Sequence, residues 1–190
     1  DKLGHFFSDG GWLETAYRRA LRKGASEDDA VRAAIRYGLS TEETIWGKGT
    51  SGILSLADLE ANYQGLIFYR GLCEGSDPGL ALTSEGWRLT RPFDFHSYVT
   101  PEWDESWQPN IYSPSRWNKV KPVMERYCAH LRDPEIQRER ASYAARDRET
   151  PTEAIVRQLV AAGKLADPGQ FSIEAICGMA ATAAPLGSGR

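Results

Sequence analysis

Residues 12–23 read WLETAYRRALRK, and Gly24 follows. Trp12, Leu13, Ala16, Tyr17, Ala20 and Leu21 recur in steps of one and three, which draws a single apolar stripe along a helix. Glycine then ends it, because it alone adopts the left-handed turn at no steric cost. The pattern repeats downstream. Ser26 stands three residues before Asp29, a capping signal, and Ala30, Val31, Ala34, Ile35, Gly38 and Leu39 share one face of a second helix expected to reach about Ile45. Ser55-Leu56-Ala57-Asp58 opens a third helix, through about Leu72, with Leu56, Leu59, Tyr63, Leu66 and Ile67 as its stripe.

Three glycines, Gly47, Gly49 and Gly52, force a loop or short hairpin between the second and third helices. From Glu74 to Ser113 the helical period vanishes. This stretch holds Asp77-Pro78-Gly79 and further prolines, and Gly86–Arg91 fits a short strand. A helix is expected over Arg116–Leu131, kinked or started by Pro122. Asp133-Pro134 and Thr150-Pro151-Thr152-Glu153 are cap-plus-proline starts of two more helices, and Ser172 caps a last short one. The Ala/Gly tail after about Met179 is expected to fray. The fold class is therefore mainly α. We expect a single helical domain over 1–190 with a Gly-rich hairpin: a helical core at 1–73, an aromatic-rich irregular insert at 74–114, C-terminal helices at 115–182 and a tail at 183–190.

Composition narrows the function classes. The 190 residues are 41% hydrophobic and 26% charged, with a formal charge of −3, enough apolar matter for a core without metal or disulfide staples. No run approaches the roughly 20 apolar residues of a membrane span. A pI near 5.7 with interspersed signs leaves no footprint for nucleic acid. Cys73, Cys128 and Cys177 form no C-x-x-C pair, so zinc by that route is not expected. Buried thiols and one disulfide plus a spare thiol both remain open, and the second implies an oxidising compartment. The chain starts at Asp1 rather than Met, so we expect a processed or excised piece of a longer protein.

The candidate chemistry gathers in the first 65 residues: Asp1, His5, Glu42, Glu43, Asp58 and Asn62. Glu43 is eight residues after Ile35 and four after Leu39; Glu42 is seven after Ile35 and four after Gly38. Both extend the apolar stripe to the end of its helix, where a carboxylate loses solvation, the condition for a general acid near neutral pH. Asp58 and Asn62, four apart, point the same way. In the insert, Tyr98, Trp103, Asp104 and Trp107 set flat rings beside a carboxylate, the pairing that stacks sugar rings and takes their hydroxyls. A nucleophile elbow, a phosphate loop and a zincin motif are absent.

Asp1-Lys2-x-Gly4-His5-Phe6, the downstream Glu43 and Ser55-x-Ala57-Asp58-Leu59-x-Ala61-Asn62-x-x-Gly65 resemble the VanZ-like proteins and the YfiM-like envelope lipoproteins of bacteria. Those families show a D-K-x-x-H-F start, an acidic residue ending a helix and an S-x-x-D-L-x-A-N-x-x-G helix. The likeness spans roughly residues 1–70. VanZ-like segments are membrane-embedded, whereas the helices here carry Arg18, Arg19, Arg22, Lys23, Arg32 and Arg36. The resemblance implies a bacterial envelope setting, periplasmic or secreted. A Glu ending a helix, a Gly/Ser/Thr-rich segment from Gly47 to Ser55 and another helix also look like the layout of lysozyme-like glycosidases.

These readings converge on the expectation of a peptidoglycan glycosidase, with the catalytic domain of a secreted effector as one setting for it, and with Glu43 as acid, Glu42 as its substitute and Asp58 or Asp104 as second carboxylate. His5, Asn62, Tyr98, Trp103, Asp104 and Trp107 would bind the glycan. No cofactor and no metal are expected, and the partners would be peptidoglycan or another glycan, a fused domain or an immunity-type protein. The alternatives are a non-catalytic periplasmic glycan- or protein-binding module, and a metal-dependent hydrolase using Asp1, His5, Glu43 and Asp58.

Overall fold

A computed structural model describes residues 1–44, 47–146 and 148–178. The fold is mainly α, and its only strands among the described residues form two separate two-stranded sheets. The chain divides into two compact units, Asp1–Leu39 with Asp58–Trp103 and Ser40–Ala57 with Asp104–Arg190. Among the described residues, no helix is long and apolar enough to cross a membrane.

The first unit begins with α1 (Lys2–Gly4), which runs through a π turn (His5–Asp9) into α2 (Gly10–Arg22). The first helix thus starts well before Trp12. Its buried line passes through Phe6, Gly10, Leu13 and Tyr17, and Trp12, one step off that line, is 59% exposed. Gly24 ends the helix at φ +87°. In α3 (Glu27–Glu43) the start is fixed by Ser26, whose Oγ accepts the Asp29 amide at 3.2 Å. Leu13, Tyr17, Ala30, Ala34 and Leu66 make the core, flanked by Ala16, Ala20, Leu21, Val31 and Tyr63. Leu66 comes from α4 (Leu56–Cys73). Its residues from Leu56 to Leu66 are buried on nearly every side, including Glu60, which accepts the Gln64 amide at 2.8 Å. A hairpin of β2 (Leu80–Thr83) and β3 (Gly86–Leu89) follows, with Leu80 opposite Leu89 and Leu82 opposite Trp87.

In the second unit, the glycine-rich residues 47–52 form turns. They lead into β1 (Ile53–Leu54), which pairs antiparallel with β4 (Ile111–Tyr112). The Gly-rich segment therefore finds its ladder partner far along the chain. Ser113 donates to the Gly52 carbonyl at 2.8 Å, and Arg116 Nε donates to the Ser51 carbonyl at 2.7 Å. Helix α5 (Pro114–Met124) keeps Pro122 inside it and then tightens into 3-10 turns at Glu125–Tyr127 and His130–Arg132, so the α-helix ends short of the expected Leu131. Asp133 caps α6 (Pro134–Ala144), and a full capping box of Thr150 and Glu153 starts α7 (Pro151–Ala161). Ser172 caps α8 (Ile173–Ile176). Tyr112, Trp117 and Phe171 pack their rings at 5.0–5.7 Å. Cys128 and Cys177 are joined in a disulfide, and the remaining thiol, Cys73, is exposed. The expected end of the second helix at Ile45 and the frayed tail after Met179 lie outside the described residues.

Candidate functional site: a histidine between two carboxylates

Helix α4 presents Asp58, Asn62 and Gly65 at spacings of four and three, one above another on a single face. Gly65 is what lets the N-terminal segment come close. A Cβ there would overlap the Phe6 carbonyl oxygen, and a Cβ on Gly10 would lie 2.6 Å from the Gly65 Cα. Both obstacles are backbone atoms, so the two helices meet only because both positions are glycine. That approach sets His5 against Asp58 and Asn62.

The π turn does the rest. Its closing bond runs from the Gly10 amide to the His5 carbonyl, an i to i+5 closure, and it brings Asp9 onto the same side as His5. His5 Nδ1 lies 3.0 Å from Asp9 Oδ2, and Nε2 lies 3.4 Å from Asp58 Oδ2. Lys2 Nζ donates to Asp58 Oδ1 at 2.5 Å and stands 3.8 Å from Asp1 Oδ1. One amide atom of Asn62 lies 3.1 Å from Nδ1. With its NH2 group turned inward, Asn62 faces the carbonyls of His5 and Asp58 at 3.2 Å each and His5 Nδ1 at 3.1 Å, three positions for two hydrogens.

The side chains of Lys2, His5 and Asp58 keep 14–19% of their surface, so a small molecule can reach them, whereas Asn62 is 1% exposed and serves to tie the segments together. Chemically, this is an imidazole with a carboxylate on each nitrogen, an arrangement that can take, hold and return a proton. Asp9 and Asp58 sit on opposite ring nitrogens. One ion held by His5 therefore cannot be shared by both carboxylates.

Beside this centre in sequence, Phe6 and Phe7 enter a nest of rings with Phe68, Phe93, Phe95, Tyr98 and Trp103. Phe6 lies 5.2–5.9 Å from Phe68, Phe95, Tyr98 and Trp103, mostly edge-on or tilted. Tyr98 also stacks on Phe93 at 6.2 Å, and Trp103 meets Phe95 at 5.8 Å. The rings of Tyr98 and Trp103, expected to carry a sugar, are thus engaged with one another's neighbours.

The other candidates belong to the second unit. Glu42 is 3% exposed and Glu43 is exposed, so the carboxylate that leaves water is the one held in reserve above, not Glu43. The last turn of α3 turns Glu42 inward. The Lys48 amide donates to the Glu42 carbonyl at 2.7 Å, and a Cβ on Gly47 would sit 2.7 Å from Glu42 Oε2. Asp104 accepts the Ser106 amide at 2.8 Å and, through its carbonyl, the amides of Trp107 and Gln108 at 3.0 and 2.8 Å. Trp107 packs edge-on to Tyr143 at 5.5 Å beneath the Arg140 guanidinium at 5.2 Å. Arg140 pairs with the buried Glu174, and burial pulls its pKa down. Burial, together with the bond to Glu139, pushes the Tyr143 phenol up to about 12. Asp104 and Trp107 thus hold the second unit's own structure.

The sequence reading missed Lys2 and Asp9, which complete the His5 centre. Lys2 stood inside the quoted D-K-x-G-H-F motif, and Asp9 is four residues beyond His5, a spacing that brings helical side chains together. It also missed Glu60, a carboxylate buried mid-helix. No family model, no curated protein and no solved structure matches this chain.

Proposed function

We propose that the chain is a hydrolase of the bacterial cell envelope, acting on peptidoglycan, with His5 as its proton-transfer group. The observation that carries this reading is the His5 ring, reachable by solvent, with a carboxylate 3.0 Å from one nitrogen and another 3.4 Å from the other. In the reaction, a water oxygen bonds to the electrophilic carbon of the substrate while its proton passes to His5 Nε2. The bond from that carbon to the leaving atom breaks, and the imidazolium returns the proton to the leaving atom. Asp58 and Lys2 set the charge beside the exchanged proton. The envelope setting rests on the resemblance of residues 1–70 and is supported by the Cys128–Cys177 disulfide, a bond that persists in oxidising compartments.

A second reading has one observation of its own: the burial of Glu42 at the end of α3 suits a general acid that protonates a glycosidic oxygen. Digestion of purified sacculi separates the two. On the first reading, His5→Ala and Asp58→Asn lower release of soluble fragments by roughly 100- to 10,000-fold, and Glu42→Gln leaves His5-dependent turnover in place. On the second, Glu42→Gln abolishes the release, and every product carries a new reducing end. Sacculi that retain the wild-type protein without being cut would overturn both and leave a binding module. Turnover that appears only on adding a divalent cation would favour the metal-dependent alternative.

A further inference from the structure

Asp9 lies outside every set of residues singled out from the sequence, yet it makes the shorter of the two carboxylate approaches to the His5 ring. We infer that Asp9 is the positioning residue of His5: it keeps a proton on Nδ1, so that the proton the ring exchanges is the one on Nε2, on the Asp58 side. This rests on the reading of His5 as the proton-transfer group.

The argument is one of donors and acceptors. An ionised carboxylate only accepts, so a ring nitrogen facing one at bonding distance must donate. A neutral imidazole has one proton for two nitrogens, and Asp9 and Asp58 compete for it. Asp9 Oδ2 stands at 3.0 Å from Nδ1, inside the ordinary range for such a bond, while Asp58 Oδ2 stands at 3.4 Å from Nε2, beyond it. Asp58 is also bonded to the Lys2 ammonium at 2.5 Å, and that charge weakens its pull on the ring proton. Asn62 also neighbours Nδ1: its inward NH2 nitrogen lies 3.1 Å from Nδ1 and 3.2 Å from the carbonyls of His5 and Asp58, and its two hydrogens cannot serve all three, so with the Asp9 carboxylate at 3.0 Å on Nδ1 the two carbonyls take them. Within this unit the ring therefore faces Asp9 from its own turn and Asp58 and Asn62 from α4, with Lys2 and Asp1 behind Asp58.

The π turn is the local device that makes this possible. It spans His5 to Asp9, so the histidine and its partner are its first and last residues. Turns of this kind are uncommon inside α-helices and concentrate at functional positions. Orientation of a working imidazole through its far nitrogen is the general means by which proteins choose its tautomer.

The test is nitrogen NMR of the full chain labelled at histidine, at alkaline pH where the ring is neutral. The chain has 3 histidines, so the His5 signal is assigned by its loss in His5→Gln. The wild-type ring is expected as the Nδ1–H tautomer. In Asp9→Ala the neutral ring should move to Nε2–H, facing Asp58, and kcat on sacculi should fall about 10- to 100-fold with KM unchanged. Asp9→Glu should restore part of both. A wild-type ring found as Nε2–H overturns the inference outright, whether or not any variant folds. So does an Asp9→Ala protein, folded by circular dichroism, whose tautomer is unmoved. A tautomer that switches as expected in a protein that cuts no sacculus supports the placement of the proton and removes the hydrolase reading instead.

Discussion

The two units of this chain solve the same problem by different means. The first relies on long helices, α2, α3 and α4, whose stripes bury Leu13, Tyr17, Ala34 and Leu66 together, and on a nest of seven aromatic rings. The second has short helices of 4 to 11 residues and a three-ring cluster, and it adds a disulfide, an ion pair between Arg140 and the buried Glu174, and several side-chain caps. A helix of three turns buries too little apolar surface to hold itself in place, so covalent and polar links supply what packing does not. The His5 centre stands on packed helices, where side-chain positions are determined on several sides; Glu42 stands beside a glycine-rich turn.

The largest way to break the comparison is to remove the link on which only one unit depends. Closing a loop of 49 residues constrains the unfolded chain by about 4 kcal/mol in the chain-entropy account. Replacing Cys128 and Cys177 by serine should therefore lower stability to denaturant by up to about 4 kcal/mol. Amide hydrogen exchange should rise through residues 165–177. If it rises equally along α4, the first unit leans on the disulfide as well, and the contrast drawn here is wrong.

The matching test on the first unit is a single methyl group. Gly65→Ala would drive a Cβ into the Phe6 carbonyl, and backbone cannot step aside as a side chain does; the cost should be about 3 kcal/mol. Gly71, six residues along the same helix, has nothing within 4 Å of its added Cβ. Gly71→Ala should be neutral or stabilise by about 0.5–1 kcal/mol, because alanine costs less entropy in a helix. Urea melts of the pair decide whether α4 is limited by close approach or merely by propensity. Smaller again, Thr150→Ala removes the capping box of α7 and should cost about 1 kcal/mol, seen as a shift in urea midpoint with unchanged slope.

How far the sequence carried depended on the range of the physics involved. The helices of the first unit were readable because a stripe such as Leu13, Ala16, Tyr17, Ala20 is a local property of the chain. The caps at Ser26, Asp133, Thr150 and Ser172 were readable for the same reason. The pairing of Ile53–Leu54 with Ile111–Tyr112 was not, since two-residue strands leave no alternation and their partner is remote. Nor could spacing join Cys128 to Cys177. Of the site, His5, Asp58 and Asn62 were visible as a motif and Asp9 stood at helical spacing from His5, but nothing in residue type marked the π turn that runs from one to the other. Glu42 and Glu43 both extended the same stripe, and only the packing of the last turn distinguishes them. Tyr98, Trp103 and Trp107 were expected to bind one glycan together. In the fold, Phe93, Phe95, Tyr98 and Trp103 belong to the first unit and Trp107, Tyr112 and Trp117 to the second.

The finest distinction between the units is one of titration. Burial raises the phenol of Tyr17 in the first unit and those of Tyr112 and Tyr143 in the second, and only Tyr143 is pushed as far as about 12. A tyrosine with a folded-state pKa above its unfolded value of about 10 adds no pH dependence below pH 10, where the phenol is neutral in both states. Between pH 10 and about 12 the unfolded chain loses the Tyr143 proton and the folded chain keeps it, so stability declines as pH rises through that window. Tyr143→Phe has no proton to lose. Melting temperatures taken from pH 9 to 12 should therefore fall less steeply for Tyr143→Phe than for the wild type, while the two curves differ below pH 10 only by a constant offset from the lost Glu139 bond. Parallel curves across the whole range would mean that Tyr143 is solvated in solution and that the Trp107–Tyr143–Arg140 stack does not hold there. The second unit would then have lost one of the polar links that set it apart from the first.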